Sequence, residues 1–117
     1  MNAVLVLAAL VAWVVGCPPS DVPFHGGCLA MHKAGSRIDH EDAAWICHEH
    51  GGELANITGR SAETTARSLW RVNHGASMAY VRGKKDDKPL AFIKRLSKVA
   101  PLPDGSYVRH VICHMKP

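Results

Sequence analysis

The chain has 117 residues and a formal net charge of +4. This length suits one small domain and excludes a second one. The modest positive charge suits anionic partners such as acidic glycans or membrane surfaces, and it is also common on ordinary secreted proteins.

The segment from Met1 to Gly16 has no charged side chain and is almost wholly apolar. It is too short to span a bilayer as a helix, and small residues close it. We therefore expect a secretory signal peptide over 1–16, a mature domain over 17–117, and a secreted, extracellular protein. Two alternatives stay open: an uncleaved N-terminal anchor, and a bacterial lipoprotein box over Val14–Cys17 in which the cysteine is lipidated.

The four cysteines are Cys17, Cys28, Cys47 and Cys113. An even count behind an export signal indicates disulfides, and four cysteines allow three pairings. Sequence alone does not select one of them. Between the first two cysteines, the run from Pro23 to Cys28 predicts a hairpin turn, and Leu29 to Met31 is predicted as a strand.

The stretch from Asp39 to Ile57 predicts a helix, a glycine turn and a short strand. Asp39 is a good helix N-cap, and acidic residues follow it in the first turn, where the helix dipole favours them. Gly51 and Gly52 can supply a left-handed C-terminal stop. Leu54 to Ile57 then reads as a strand that enters a core.

A helical wheel assigns directions to the side chains of this helix. At about 100° per residue, Cys47 shares one face with His40 and Ala43, which predicts that the cysteine points inward and that His40 is a buried, hydrogen-bonded histidine. Trp45 falls nearly opposite Cys47. Two explanations remain for Trp45: it packs under the N-terminal hairpin around Phe24, or it is an interface candidate that anchors a partner.

This stretch resembles the first-helix signature of C-type lectin-like domains. In that family an alanine precedes the helix cysteine by four residues, and Gly-Gly-x-Leu-Ala-x-Ile follows. The tryptophan usual at the helix start is replaced here by His40. The matching residues in this chain are Ala43, Cys47, Gly51, Gly52, Leu54, Ala55 and Ile57.

The resemblance implies an α+β fold in which two helices flank antiparallel strands. It also implies two disulfides, because the family closes an N-terminal hairpin with one bridge and ties the first helix to the last strand with another. Carried over, these are Cys17–Cys28 and Cys47–Cys113, worth roughly 3 and roughly 4 kcal/mol in the chain-entropy model. The resemblance does not imply sugar binding, since function depends on the residues of a site and not on the fold alone.

A second helix is predicted from Ser61, as N-cap, to near Gly75. Ala62, Ala66, Leu69 and Trp70 have the spacing of one buried stripe, so Trp70 is expected in the core. Glu63 precedes Arg67 by four residues, which predicts a favourable side-chain pair.

Two strands and an ambiguous segment are predicted in the C-terminal half. Met78 to Arg82 reads as a strand, and Gly83 follows it where the family carries a glycine. Ser106 to Met115 reads as the closing strand, with apolar side chains on both faces. Between them, Phe92, Ile93, Leu96 and Val99 fit one face of a short helix, and a twisted strand fits nearly as well.

The family's usual calcium loop is missing from this segment. Calcium needs roughly six to eight oxygen ligands, mostly carboxylates and amides. The chain lacks the Glu-Pro-Asn, Gln-Pro-Asp and Trp-Asn-Asp triplets, and Asp86 and Asp87 are adjacent and flanked by lysines. We therefore expect a compact form of the fold without a family-type calcium site and with no cofactor.

Cations dominate the segment between Arg82 and Lys98, which holds seven basic and two acidic residues. One reading is a solvated loop, since charge runs usually face water. The functional reading is an anion-binding surface for sulfated or phosphorylated groups, sensitive to salt. The candidate ligand-binding residues are Arg82, Lys84, Lys85, Lys88, Lys94, Arg95 and Lys98.

Three further features are weighed against ordinary roles. Histidines near Cys47 and Cys113, such as His48 and His114, suggest a zinc site, but solvated histidines that tune surface charge fit the geometry better. No nucleophile motif for catalysis is present, so catalysis is the weakest interpretation. A zinc-dependent hydrolase is kept as a third function class.

Asn56 begins an Asn-Ile-Thr sequon and is a candidate glycosylation site.

The sequence thus predicts a secreted, non-catalytic recognition domain that binds an anionic glycan or an extracellular protein without calcium. The alternative is a disulfide-stapled interaction module without glycan binding, whose partner docks on the Trp45 face.

Overall fold

The computed structural model describes residues 16–116. The predicted signal peptide lies outside these residues except for Gly16, so the predicted cleavage stays a prediction. No helix within 16–116 is long and apolar enough to cross a membrane. The elements are β1 (Val22–Phe24), β2 (Gly27–Lys33), α1 (His40–Glu49), β3 (Glu53–Leu54), α2 (Arg60–Arg67), β4 (Met78–Lys85), β5 (Lys88–Ile93), β6 (Lys98–Pro101) and β7 (His110–Met115), with short 3₁₀ segments at Ser68–Arg71 and Lys94–Leu96.

The strands form one sheet in the order β1-β2-β7-β4-β5-β6, and β3 also pairs with β7. All pairings are antiparallel except that of β4 with β7, which is parallel at Tyr80 and Val111. Strand β7 is therefore central. It holds together the N-terminal hairpin, the strand after α1, and the three-stranded meander β4-β5-β6.

Two hydrophobic cores use alternate residues of the central strands. Val81 and Ile112 belong to the core that contains Trp70 of the segment after α2. Tyr80 and Val111 belong to the other core, which contains Cys47 of α1. Because successive side chains of a strand point to opposite faces, the two helices cover opposite sides of the sheet.

Helix α1 confirms the predicted helix and its cap. The Asp39 carboxylate accepts from the Asp42 backbone N–H at 2.9 Å, and the Asp42 carboxylate accepts from the Asp39 N–H at 3.3 Å, which makes a reciprocal capping box. Cys47 is fully buried, as predicted. His40 is only partly buried, and its Nε2 lies 3.0 Å from the Val81 carbonyl oxygen.

The two glycines after α1 have different roles. Gly51 has a φ of 82°, a left-handed conformation that favours glycine. A Cβ on Gly52 would lie 2.8 Å from the His114 carbonyl oxygen, so this glycine lets the turn approach β7. The strand that follows is shorter than predicted, since β3 covers Glu53–Leu54 alone while Ala55 and Ile57 are buried outside it.

Helix α2 differs from its prediction at both ends. It begins at Arg60 after Gly59, which has a φ of 92° and no side chain to cap with, so the predicted N-cap at Ser61 is wrong. The α-helix ends at Arg67 and tightens into the first 3₁₀ segment. The predicted buried stripe is confirmed by Ala62, Ala66, Leu69 and Trp70, which are all buried.

Glu63 does not make the predicted pair with Arg67. Its Oε2 accepts a hydrogen bond from the Val99 backbone N–H at 2.6 Å. Val99 lies on β6, the edge strand of the sheet, whose outer N–H groups have no strand partner. The Glu63 carboxylate therefore bonds to a backbone N–H at the open edge of the sheet instead of pairing with Arg67 on the helix surface.

The segment from Phe92 to Val99 is not a helix. Phe92 and Ile93 end β5, and Val99 lies on β6, joined by a 3₁₀ turn at Lys94–Leu96. The helical prediction is wrong because β5 pairs with β4 on one side and with β6 on the other, so backbone groups of this segment bond across the sheet. The prediction for the closing strand is also too long: β7 begins at His110, and Tyr107 is 56% exposed outside it.

Two disulfides join Cys17 to Cys28 and Cys47 to Cys113, which confirms the pairing that the resemblance implied. The first closes the N-terminal hairpin onto β2. The second crosses from α1 to β7 and links residues 66 apart in sequence.

Candidate functional site

The seven predicted ligand-binding cations lie at two ends of β5. Four of them lie on or beside the β4–β5 hairpin: Arg82, Lys84, Lys85 and Lys88. The other three, Lys94, Arg95 and Lys98, lie at the 3₁₀ turn that follows β5. A six-residue strand is about 20 Å long, so the structure does not bring the two groups together.

The hairpin group is interspersed with carboxylates. Asp86 and Asp87 form the two-residue turn, with positive φ values of 53° and 62°. The Lys88 ammonium lies 3.7 Å from the Asp104 carboxylate, and both side chains are largely exposed. Acidic neighbours and full hydration weaken the field that these lysines can present to an anion.

Two members of the second group, Lys94 and Arg95, line a groove, which we call the cationic groove, whereas Lys98 is not among its lining residues. Arg67, Lys94 and Arg95 supply its charges, and apolar atoms of Met78, Ile93 and Pro103 line it. Its volume is about 590 Å³, and Ser77 and Ser97 complete the lining. None of the described residues that line it is acidic.

Packed elements position two of these cations, Arg67 and Lys94. The Arg67 guanidinium lies 5.9 Å from the centre of the Trp70 ring, within the range of a cation–π contact. The Trp70 ring is itself fixed, since its Nε1 donates to the Ala76 carbonyl at 2.7 Å. The backbone N–H of Lys94 donates to the Ser77 carbonyl at 3.0 Å, which ties the 3₁₀ turn to the start of β4.

This arrangement can bind an anion without a metal ion. Guanidinium groups present planar pairs of donors to carboxylate, sulfate or phosphate, and the Lys94 ammonium adds a point charge. The apolar lining gives a ring-shaped ligand a surface to displace water from. Arg67 was not predicted to take part, because its sequence position marks it only as the partner of Glu63.

Trp45 is 60% exposed on the outer face of α1. Its ring lies 5.6 Å from the ring of His48 one turn away. The prediction that it packs under the N-terminal hairpin is wrong, since Phe24 there contacts the rings of His25 and His114. The interface-candidate prediction remains untested.

The histidines are divided among separate environments. His114 is buried, and its Nε2 lies 3.0 Å from the Phe24 carbonyl oxygen, so the prediction that it is a solvated histidine is wrong. His48 is exposed on α1, and His50 stacks on His32 with ring centres 3.8 Å apart. Over residues 16–116, no three histidine, cysteine, aspartate or glutamate side chains come close enough to hold a metal ion.

The candidate glycosylation site lies on the surface between β3 and α2. The Asn56 side chain is exposed and accepts a hydrogen bond from the Thr58 hydroxyl at 2.9 Å. Occupancy by a glycan stays a prediction.

Comparison with known proteins gives matches in structure alone. No protein-family model matches the sequence, and no curated protein matches it. Human lithostathine matches with a TM-score of 0.65 and 13% identity over 86% of this chain and all of its own. The cow C-type carbohydrate-recognition domain of CD23, solved in the presence of a GlcNAc2Man3 oligosaccharide, matches with a TM-score of 0.60 and 11% identity over 87% of this chain and 97% of its own.

A chain in the complex of botrocetin with a mutant von Willebrand factor A1 domain also matches, with a TM-score of 0.60 and 16% identity over 87% of this chain and all of its own. At these identities the likeness concerns the fold. The order of helices and strands, the mainly antiparallel sheet and the two disulfides agree with it. The protein has the C-type lectin-like fold.

Proposed function

We propose that this protein is a secreted, non-catalytic recognition domain that binds an anionic glycan without calcium. The observation that carries the proposal is the cationic groove, in which Arg67, Lys94 and Arg95 surround an apolar surface without a carboxylate among the lining residues. Sulfated or uronic-acid sugars offer the matching chemistry, since they combine anionic groups with the weakly polar faces of a sugar ring.

The kind of groups that line the groove supports binding without calcium. A lectin site built on calcium holds the ion with carboxylate and amide oxygens, and the ion then binds sugar hydroxyls. Here ammonium and guanidinium groups face the space directly, and they pair with anions through charge-assisted hydrogen bonds. Such contacts weaken as salt rises, because dissolved ions screen the charges and the Debye length, about 8 Å at physiological ionic strength, becomes shorter.

The test is binding of the secreted protein to arrays of sulfated, carboxylated and neutral glycans, with and without a calcium chelator. We expect sulfated or carboxylated glycans to bind in chelator and the Arg95→Gln variant to bind them at least about fivefold more weakly, a loss of about 1 kcal/mol. Arg60→Gln is the matched control, because Arg60 is exposed at the start of α2 and away from the groove lining. Binding to neutral glycans alone, or equal losses in both variants, would contradict the proposal.

Trp45 supports a second candidate function, the docking of an extracellular protein on α1. An exposed tryptophan is a frequent anchor in protein interfaces. In Trp45→Ala we expect stability to change by no more than about 0.5 kcal/mol, as for other surface substitutions. If protein capture is lost in this variant while glycan binding by the wild type is absent, the interaction module replaces the glycan-binding function.

A further inference from the structure

A second cleft lies next to the cationic groove, and we call it the Arg109 cleft. Lys33 at the end of β2, Arg109 just before β7 and His110 at the start of β7 supply its basic groups, together with His74 from the loop before β4. Its volume is about 410 Å³. None of the described residues lining it is acidic, so its field is positive without a local counter-charge.

The Arg109 side chain is held in the wall of the cleft with donor capacity to spare. Its Nε is buried and has no hydrogen-bond partner within residues 16–116. One Nη donates to the Gly35 carbonyl at 3.4 Å, and the Arg109 carbonyl accepts from the Ala34 N–H at 2.7 Å. Arg109 therefore keeps Nη N–H groups beyond the one bonded to Gly35, and these are the donors that can pair with an anion in the cleft.

Two large apolar side chains are exposed at the same place. Tyr107 is 56% exposed and Val72 is 54% exposed, and both line the Arg109 cleft. They are two of the four large hydrophobic residues exposed in the part of the chain that the structure describes. An aromatic ring beside the Lys33 and Arg109 cations suits a ligand that has a ring as well as a charge.

The cleft and the groove adjoin each other. Ser77 and Met78 line both of them. The Lys94 ammonium, which belongs to the groove, donates to the carbonyl of His74, which belongs to the cleft, at 3.5 Å. The two spaces therefore share part of their wall.

We propose that the Arg109 cleft is a second subsite, which holds one sulfated or carboxylated sugar ring of the glycan chain that the cationic groove binds. Lys33 and Arg109 pair with the anionic group, and Tyr107 packs against the face of the ring. This inference rests on the proposed function. It adds that the ligand is an oligosaccharide with anionic groups on more than one ring.

His110 adds a pH dependence to this subsite. Burial lowers the pKa of His110, and the nearby charges of Lys33 and Arg109 lower it further. His74 lines the same cleft from the loop before β4. This lowered pKa favours the neutral form of His110, whereas a bound sulfate, which stays ionised, favours its charged form.

The experiment measures the affinity of the secreted protein for a sulfated disaccharide and a sulfated hexasaccharide by calorimetry, at pH 7.0 and pH 5.5. We expect the hexasaccharide to bind at least about tenfold more tightly than the disaccharide, and more tightly still at the lower pH. Tyr107→Ala and Lys33→Gln should each lower hexasaccharide affinity about fivefold and leave disaccharide affinity in the groove nearly unchanged. Tyr107→Phe keeps the ring and should bind like the wild type.

Failure of this inference is distinguishable from failure of the proposed function. If Arg95→Gln weakens hexasaccharide binding while Tyr107→Ala and Lys33→Gln do not, the groove binds the glycan and the Arg109 cleft is not a subsite. If neither oligosaccharide binds the wild type, the proposed function and the subsite are both wrong. Lys33 and Tyr107 are exposed, so thermal melting of their variants should match the wild type and exclude misfolding as the cause.

Discussion

At the scale of single residues, a stacked pair of histidines couples stability to pH. The rings of His32 and His50 are 3.8 Å apart and nearly parallel, and the His32 Nε2 is buried without a partner among residues 16–116. Burial lowers the pKa of His32 below its ordinary 6.5 and the His50 charge lowers it further, against a smaller opposite effect of Asp21. As pH falls below 6.5, the unfolded chain takes up a proton before native His32 does, so the free energy of unfolding decreases.

His32→Phe should reduce this acid sensitivity. Phenylalanine keeps a flat ring against His50 but takes up no proton in either state, so the contribution of this site to the pH dependence disappears. We expect the loss of stability between pH 7.5 and pH 5.5, measured by urea unfolding, to be smaller than in the wild type. His48→Gln, at an exposed position of α1, is the control and should keep the wild-type slope. An unchanged slope in His32→Phe would show that the shift at this histidine has no effect on folding.

At the scale of elements, the β4–β5 hairpin departs most from the usual turn chemistry. A two-residue hairpin turn with positive φ at both positions favours Asn-Gly, whereas this chain has Asp86 and Asp87 there. Before the turn, on β4, Gly83 has a φ of 110° at the irregularity in the pairing of β4 with β5. The hairpin therefore combines a glycine where the backbone needs it with Asp87 at the second turn position, where glycine would fit better.

Asp87→Gly should stabilise the protein. A left-handed conformation costs most non-glycine residues about 1–2 kcal/mol and aspartate less, so we expect a gain of up to about 1 kcal/mol in urea unfolding. Asp87→Ala removes the same negative charge but keeps a side chain that disfavours the left-handed conformation, so it tests whether removal of charge alone has the same effect. A loss of stability in Asp87→Gly would mean that the aspartate side chain contributes more to the turn than its backbone conformation costs.

The elements that were predictable from sequence are those whose ends are determined by residues next to them in the chain. Helix α1 has an aspartate cap at one end and a glycine pair at the other, and its bounds agree with the prediction. The segment from Phe92 to Val99 has a helical spacing of apolar residues, yet it forms two strands, because partners distant in sequence decide its backbone pairing. The cationic groove could not be predicted from sequence for the same reason, since it brings Arg67 of α2 together with Lys94 after β5.

At the scale of the whole molecule, the two disulfides secure different parts of the fold. Cys17–Cys28 closes a loop with a separation of 11 residues at the N-terminal edge, whereas Cys47–Cys113 joins α1 to the central strand across 66. The longer loop restricts the unfolded chain more, and both cysteines of that bridge are fully buried.

Replacement of Cys47 and Cys113 together by alanine should cost about 4 kcal/mol of stability, against about 3 kcal/mol for replacement of Cys17 and Cys28. The two double variants serve as controls for each other in urea unfolding. A larger loss for the N-terminal bridge would indicate that the hairpin, rather than the link between α1 and β7, limits the stability of the domain.

For the whole molecule we propose that charge in the cationic groove, and not a calcium ion, binds the ligand. The most direct measurement is the dissociation constant for a sulfated hexasaccharide in the presence of a calcium chelator, at low and at high salt. We predict clear binding in chelator at low salt and an affinity at least about tenfold lower near 0.5 M salt, where the Debye length falls to about 4 Å. Binding that disappears in chelator and returns with calcium, or that does not respond to salt, would contradict the account.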